Sequence, residues 1–170
     1  AHNAGRLPAV GSEGGSIGAV LAWSNNVIYN WPATKAGYVG GIGVGSNNWI
    51  GNFYVKGPSN GVVVFKGGDD PNTPLKFYQT KEPSLANKSD FNKDGDLLDG
   101  VIFGPGDKMP DNQSFYTGVV QYQSAPLAVE GAVPPDRADV ALQRVLDYGG
   151  AHWNNRPPID QRIVNSVRTG

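Results

Sequence analysis

Residues 90–100 read DFNKDGDLLDG and place oxygen-bearing side chains at alternate positions: Asp90, Asn92 and Asp94, with Gly95 next, then Asp96 and Asp99. Oxygens at positions 1, 3 and 5 with glycine at 6 match the first half of a calcium-binding loop. Position 12 of an EF-hand would be Val101, so the loop is not a complete EF-hand. It reads equally as a shorter calcium loop closed by Asp99 or as an acidic turn. Lys35 and Lys56 follow two similar segments and are candidates for holding carboxylates, or are simply solvated lysines. Trp23, Trp31, Tyr38, Trp49 and Tyr54 have faces that stack on sugars, although aromatics in a repeat more often form its core. Arg6, two residues before Pro8, is on its own an ordinary turn arginine.

Other chemistries find no support. His2 and His152 lack the partners of a transition-metal site, and no phosphate loop or serine-nucleophile motif occurs. A formal net charge of −1, with no run of Lys and Arg, gives no electrostatic footprint for nucleic acid or an acidic membrane. No apolar run reaches the length of a membrane span. Cysteine is absent, which removes disulfides and thiolate chemistry but is compatible with secretion. The start, AHNAGRLPAV, lacks both Met and the pattern of an intact signal peptide, as expected of a processed chain or part of a longer one.

The elements that must position these residues announce themselves by repetition. SNNVIYNW (24–31) and SNNWIGNF (46–53) share Ser-Asn-Asn-x-Ile-x-Asn-aromatic, and GVVVFKG follows from Gly61. Such units bury apolar surface only by stacking. The spacing predicts one coil of a parallel β-solenoid, with Asn26 over Asn48 and Ile28 over Ile50 in an asparagine ladder. A pair of antiparallel hairpins is the competing reading. Solenoid coils are expected over 17–66, an acidic loop-rich segment over 67–125, and a helix and tail over 134–170, the whole forming one partial domain. Asp136 is the expected helix cap and Gly149 its stop, with Ala138, Ala141, Leu142, Val145 and Leu146 on the apolar face. The tail after Pro157 reads as a second helix or as an extended strap. The coil holding Ile17 and Trp23 lacks a polar cap, so another chain is expected to cover it.

Several stretches together resemble the pectate lyase family. NNVIYNWPATKAGYVGG resembles its Asn-Asn-x-Ile-Tyr-Asn-Trp segment with Tyr-x-Gly-Gly, and NFYVKGP its Asn-Tyr-Tyr-x-x-Gly-Pro segment. VLDYGGAHWNNRPPIDQRIVNSVRTG resembles its C-terminal signature, and HNAGRLPAVGS its catalytic Arg-x-Pro segment. The match covers residues 2–66 and 136–170 and the C-terminal half of the catalytic domain. It implies an all-β fold, a right-handed parallel β-helix, and β-elimination in polygalacturonate by a secreted enzyme. It also implies calcium as cofactor and Arg6 as the catalytic arginine. Two departures stand out. Ala9, Val10 and Gly11 occupy positions where the family carries a further basic residue, and the family's calcium carboxylates lie upstream of this segment. An N-terminal fragment or companion chain is therefore expected to complete the β-helix. A non-catalytic carbohydrate-binding or adhesive β-helix is the alternative.

Overall fold

The computed structural model describes residues 8–10, 20–31, 35–39, 45–58, 63–67, 75–90, 101–104, 107–108, 114–118 and 120–169. They form strands β1 (Ala9–Val10), β2 (Val20–Ser24), β3 (Val27–Tyr29), β4 (Lys35–Val39), β5 (Ser46–Ile50), β6 (Phe53–Val55), β7 (Val63–Lys66), β8 (Leu75–Tyr78), β9 (Asn87–Asp90), β10 (Val101–Phe103), β11 (Tyr116–Thr117) and β12 (Val120–Tyr122). Helices α1 (Ala138–Tyr148) and α2 (Pro158–Thr169) follow, with a 3-10 turn (Trp153–Asn155) between them. No described helix is long and apolar enough to cross a membrane.

The strands lie in three four-stranded sheets. Sheet I has the order β1-β4-β7-β11, sheet II β12-β8-β5-β2, and sheet III β10-β9-β6-β3. From β2 to β9 the chain visits II, III and I in strict rotation, and each pairing is parallel; only β10 lies antiparallel, against β9. The predicted parallel stacking is therefore present, and the hairpin reading is overturned. The stretch from 75 to 122, read as loops, adds five strands to the same sheets.

The register differs from the one predicted. Val20 pairs with Ser46 and Ile28 with Tyr54, so the turn from β2 and β3 to β5 and β6 takes 26 residues, and later turns take more: Ser46 pairs with Lys76 and Phe53 with Lys88. Asn26 sits beside Asn52, not Asn48, and Ile28 beside Tyr54, not Ile50. The matching letters fall on different structures. The first Ser-Asn-Asn leaves β2 at a corner, whereas the second lies inside β5, where Asn47 and Asn48 are buried.

An asparagine ladder does exist at the corner between sheets II and III. Asn26 donates to Asn52 Oδ1 from its backbone N–H and from Nδ2, both at 3.0 Å. Asn52 repeats this on Asn87 Oδ1, at 3.0 and 3.1 Å. Nδ2 of Asn52 also reaches the Trp23 carbonyl, and that of Asn87 the Trp49 carbonyl, each at 3.0 Å. A corner bends the backbone away from its neighbour, and the amide side chain supplies the partner that a straight ladder would have given. The preceding corner position is left-handed in both coils: Asn25 has φ 57° and Gly51 φ 62°. Gly51 is needed twice over, since a Cβ there would lie 2.6 Å from the Asp136 carbonyl oxygen.

Alternation sorts the side chains. Ile28 and Tyr54 point inward and join one apolar cluster with Val10, Trp49, Phe65, Phe77, Phe103 and Phe115, drawn from all three sheets. Trp49 donates from Nε1 to the Tyr54 hydroxyl at 2.7 Å, which satisfies both buried groups. Tyr29, Phe53 and Val55 point to the other face of sheet III, which α1 and α2 cover with Ala138, Leu142, Leu146 and Val167. β3 and β6 of sheet III thus bury both faces, so these two strands, VIY and FYV, read as unbroken apolar runs.

Helix α1 carries the predicted apolar face, except that Val145 is 38% exposed. Its start differs from expectation. Arg137 holds the N-cap position without a side-chain cap bond. Asp136 instead pairs through its carboxylate with Arg144, and its backbone is gripped by Asn25: the N–H donates to Oδ1 at 2.7 Å and the carbonyl accepts from Nδ2 at 2.8 Å. Gly149 ends the helix, with φ −67°, by donating its N–H to the Val145 carbonyl. The tail is helical, as α2.

Asn52→Ala removes an amide with 0% exposure that serves three strands. It should lower stability by about 3 kcal/mol in urea unfolding, because two donors of Asn26 and two acceptors lose their partner. Asn52→Asp should not rescue it, having no donor for the Trp23 carbonyl. A second outcome concerns Asp139. Its hydrogen bond from Arg137, helped by the charge of Lys88, outweighs partial burial and holds the carboxyl down to about 2, from 3.8. A depressed carboxylate stabilises above the unfolded value and loses that effect as pH falls through the folded one. Asp139→Asn should therefore cost roughly 0.5–1 kcal/mol at neutral pH. The gap from the parent should close between pH 3.8 and about 2.

Candidate functional site

Sheet I presents its outer face through one register column. Ala9 pairs with Tyr38, Tyr38 with Lys66, and Lys66 with Thr117. Their neighbours Val10 and Phe65 are buried in the core, so the column points the other way. The Tyr38 N–H donates to the Pro8 carbonyl at 3.0 Å, which fastens the chain just before β1 to β4. Lys35, at the start of β4, holds its ammonium 5.2 Å from the centre of the Tyr38 ring. Two lysines and a phenol on one sheet face are the kinds of group that can pair with carboxylates and lie against a sugar ring.

The other predicted residues fall elsewhere. Lys56 follows β6 at the end of sheet III, and its backbone N–H donates to the Asp90 carbonyl at 2.9 Å. The structure thus places Lys35 and Lys56 on different sheets. Asp90 is the last residue of β9, in register with Val55, and is 4% exposed. It stands at the end of a strand, and the residues after it lie outside the described ones. Asn92, Asp94, Asp96 and Asp99, like Arg6, lie outside the described residues. Among the described residues no three His, Cys, Asp or Glu side chains gather as a metal-binding group. Of the aromatics, Trp31, Trp49 and Tyr54 are wholly buried core residues. Trp23 packs against that core, with its ring 5.6 Å from that of Trp49. Burial raises the Tyr54 hydroxyl far above its ordinary value and keeps it neutral. Tyr38 remains available on the outer face. His152 precedes the 3-10 turn, and Trp153 stands edge-on to Tyr148 at 5.2 Å.

Lys66 and Thr117 were not singled out from the sequence. For Lys66 a signal was present: it follows Phe65 in GVVVFKG, and strand alternation turns a residue beside a core aromatic outward. Thr117 had none, because β11 is only two residues long.

No family model matches the chain, and no solved structure does. A protein of Aspergillus flavus named probable pectate lyase C is 30% identical over 155 residues, which is 90% of this chain and 33% of that protein. Proteins of the same name from Aspergillus oryzae and Aspergillus fumigatus are 30% and 27% identical, with the same shares covered. Over nine-tenths of its length this chain is therefore similar to fungal proteins named probable pectate lyase C, and it spans about a third of theirs.

Proposed function

We propose that the chain is the C-terminal part of a right-handed parallel β-helix that cleaves polygalacturonate by β-elimination outside the cell. The observation that carries this reading is the outer column of sheet I. Tyr38 and Lys66 stand in register there with Lys35 alongside, and β4 is bonded to Pro8, two residues after Arg6. The strict rotation of the chain through three sheets supports the β-helix, and the similarity to proteins named pectate lyase supports the chemistry.

In the reaction a base takes the proton at C5, next to the uronate carboxylate. Its electron pair forms the C4–C5 double bond, the C4–O bond breaks, and the leaving oxygen collects a proton. Lys35 and Lys66 hold substrate carboxylates along the column, and Tyr38 lies against a ring. Lys56 is a further carboxylate contact in this reading, from the end of sheet III. Arg6 acts at C5. A guanidinium is ordinarily protonated. Arg6 is therefore the base only where nearby cations and desolvation hold it neutral; otherwise it pairs with the carboxylate and the developing enolate.

Calcium, when bound, supplies positive charge against the substrate carboxylate and acidifies the C5 proton. The described residues contain no ligand set for such an ion, so in this reading a companion segment carries the catalytic calcium. The run Asp90, Asn92, Asp94, Asp96 and Asp99 is proposed as a separate, structural calcium loop. The presence of Ala9 on the outer column, where a further basic residue is expected, favours a second reading, a carbohydrate-binding β-helix without turnover.

Release of unsaturated uronides, followed by ultraviolet absorbance, separates the two. In the complete enzyme Arg6→Ala should remove most of kcat, and Lys66→Ala should raise KM several-fold with little change in kcat. Elimination by Arg6→Ala at the parent rate would remove Arg6 from the mechanism. Absence of any product would leave the binding reading. The acidic loop is tested by limited proteolysis: a chelator should speed cleavage between residues 90 and 100, and equal rates with and without it would leave an acidic turn.

A further inference from the structure

Among the described residues, the most exposed aromatic side chains meet at the turn between α1 and α2. Tyr148, the last residue of α1, is 60% exposed, and Trp153, which opens the 3-10 turn, is 50% exposed. Their ring centres lie 5.2 Å apart with the planes at 76°, so the edge of one ring meets the face of the other. Exposures of this size leave much of both rings open to solvent. Val145 stands one turn before Tyr148 on the same helix and continues the apolar surface.

The two rings sit on a fixed turn. Tyr148 ends a helix whose Leu142 and Leu146 are buried against sheet III. The Gly149 carbonyl accepts from a terminal nitrogen of Arg156 at 3.2 Å, and the Asn155 N–H donates to the His152 carbonyl at 2.9 Å. The Arg156 carbonyl accepts from Gln161 Nε2 at 2.6 Å, which ties the turn to α2. Aromatic side chains have few rotatable bonds, so ordering them on a ligand costs little.

Polar groups stand on the same turn. His152, Asn154 and Asn155 are exposed, and none of their side chains hydrogen-bonds a described residue. Of the charged residues from 147 to 160, Asp147 pairs with Arg168 at 2.7 Å, Arg156 donates to the Gly149 carbonyl, and Asp160 is an acid. The turn therefore favours an uncharged ligand over a uronate.

A sugar ring has an apolar C–H face and a rim of hydroxyls, and it pairs with an aromatic face that has hydrogen-bonding side chains nearby. Galactose suits such a face well, because its axial 4-hydroxyl leaves the C–H groups at C3, C4 and C5 together on one side. Rings inclined at 76° do not form one plane, so they suit a chain that bends from sugar to sugar and not a flat crystalline surface. Linkage through an axial oxygen produces such a bend. A protein partner fits less well. Two aromatic side chains bury at most about 250 Å² each. Each side of a stable protein interface buries roughly 800 Å².

We propose that the turn between α1 and α2 is a surface binding site for a neutral β-1,4-linked galactan chain. Trp153 and Tyr148 stack on successive sugars, and His152, Asn154 and Asn155 meet their hydroxyls. Helix α1 packs on β3, β6 and β9 of sheet III, so this site and the outer column of sheet I stand on different faces. It is a second carbohydrate contact, separate from any chemistry on sheet I.

Isothermal titration calorimetry of the full 170-residue chain with β-1,4-linked galactotetraose should show saturable binding. Trp153→Ala and Tyr148→Ala should each weaken it ~10-fold, which is about 1.4 kcal/mol. Trp153→Phe keeps a ring and should weaken it less. Val133→Glu, on a residue 82% exposed outside the turn, should leave it unchanged. Both rings face solvent, so the variants should keep the urea midpoint of the parent. Absence of saturable binding overturns the proposal, as does binding indifferent to both alanine variants. Trigalacturonate bound through Trp153 as tightly as the neutral sugar overturns it too. A parent dimer in sedimentation that Trp153→Ala dissolves would assign the rings to a second copy of the chain and overturn it likewise. The titration involves no turnover, so its result stands apart from the test for unsaturated uronides.

Discussion

The amide of Asn52 is the interaction on which the stack depends. It accepts two hydrogen bonds from the coil before and donates to the coil after, while its own backbone N–H continues the pattern onto Asn87. A chain that turns a corner must break the regular pairing of its backbone, and buried backbone groups without partners are destabilising. Placing asparagine at that corner in successive coils restores the pairing sideways. It also sets the register. A slip of one residue would take Asn26 off Asn52 and at the same time turn Ile28 and Tyr54 out of the core. On sheet I the register sets Ala9, Tyr38, Lys66 and Thr117 in one column.

The helical cover depends on the same corner. Asn25, the left-handed residue before the ladder, binds both backbone groups of Asp136 and so fixes where α1 begins. Asn48, one strand away, does the same to Leu127, accepting its N–H at 2.8 Å and donating to its carbonyl at 2.7 Å. Two asparagines on the sheets thus anchor the segment that crosses sheet II on its way to the helix. Gly51 leaves the space for that approach. Once anchored, α1 buries Leu142 and Leu146 against Phe53 and Val55, and burial of such side chains contributes roughly 1.5–3 kcal/mol each.

The sequence disclosed parallel stacking, the corner asparagines and both termini of α1 to within two residues, because apolar runs and polar corners leave direct marks. The period escaped because Asn serves two purposes here. At Asn26 it closes a corner, and at Asn47 and Asn48 it is a buried strand residue, so similar letters at a spacing of 22 concealed a coil of 26. Strand β9, with sequence NKSD, has no apolar alternation at all. It is a strand because Asn87 completes the ladder and Ser89 pairs beside Tyr54, neither of which any local pattern reveals. Asp136 looked like a helix cap because acidic residues before helices usually cap. Here the grip of Asn25 on its backbone turns the carboxylate to Arg144 instead. On the candidate site, Lys35 and Tyr38 were legible as residue types, whereas the pairing of Lys66 with Tyr38 needed the register, a spacing of 28 residues where the letters give 22.

Charge illustrates why a composition argument stops where a register argument begins. A formal net charge of −1 gives no long-range attraction for a polyanion. Yet the outer face of sheet I carries Lys66 in register with Tyr38, and Lys35 against the same ring. Screening confines such charges to about 8 Å at physiological salt. What an acidic polymer meets is therefore the local column and not the molecular sum. Successive strands of a sheet lie about 4.8 Å apart. In the column Ala9, Tyr38, Lys66 and Thr117 the cation is Lys66, with Lys35 against the Tyr38 ring, so the positive charge is gathered on two adjacent strands of the sheet.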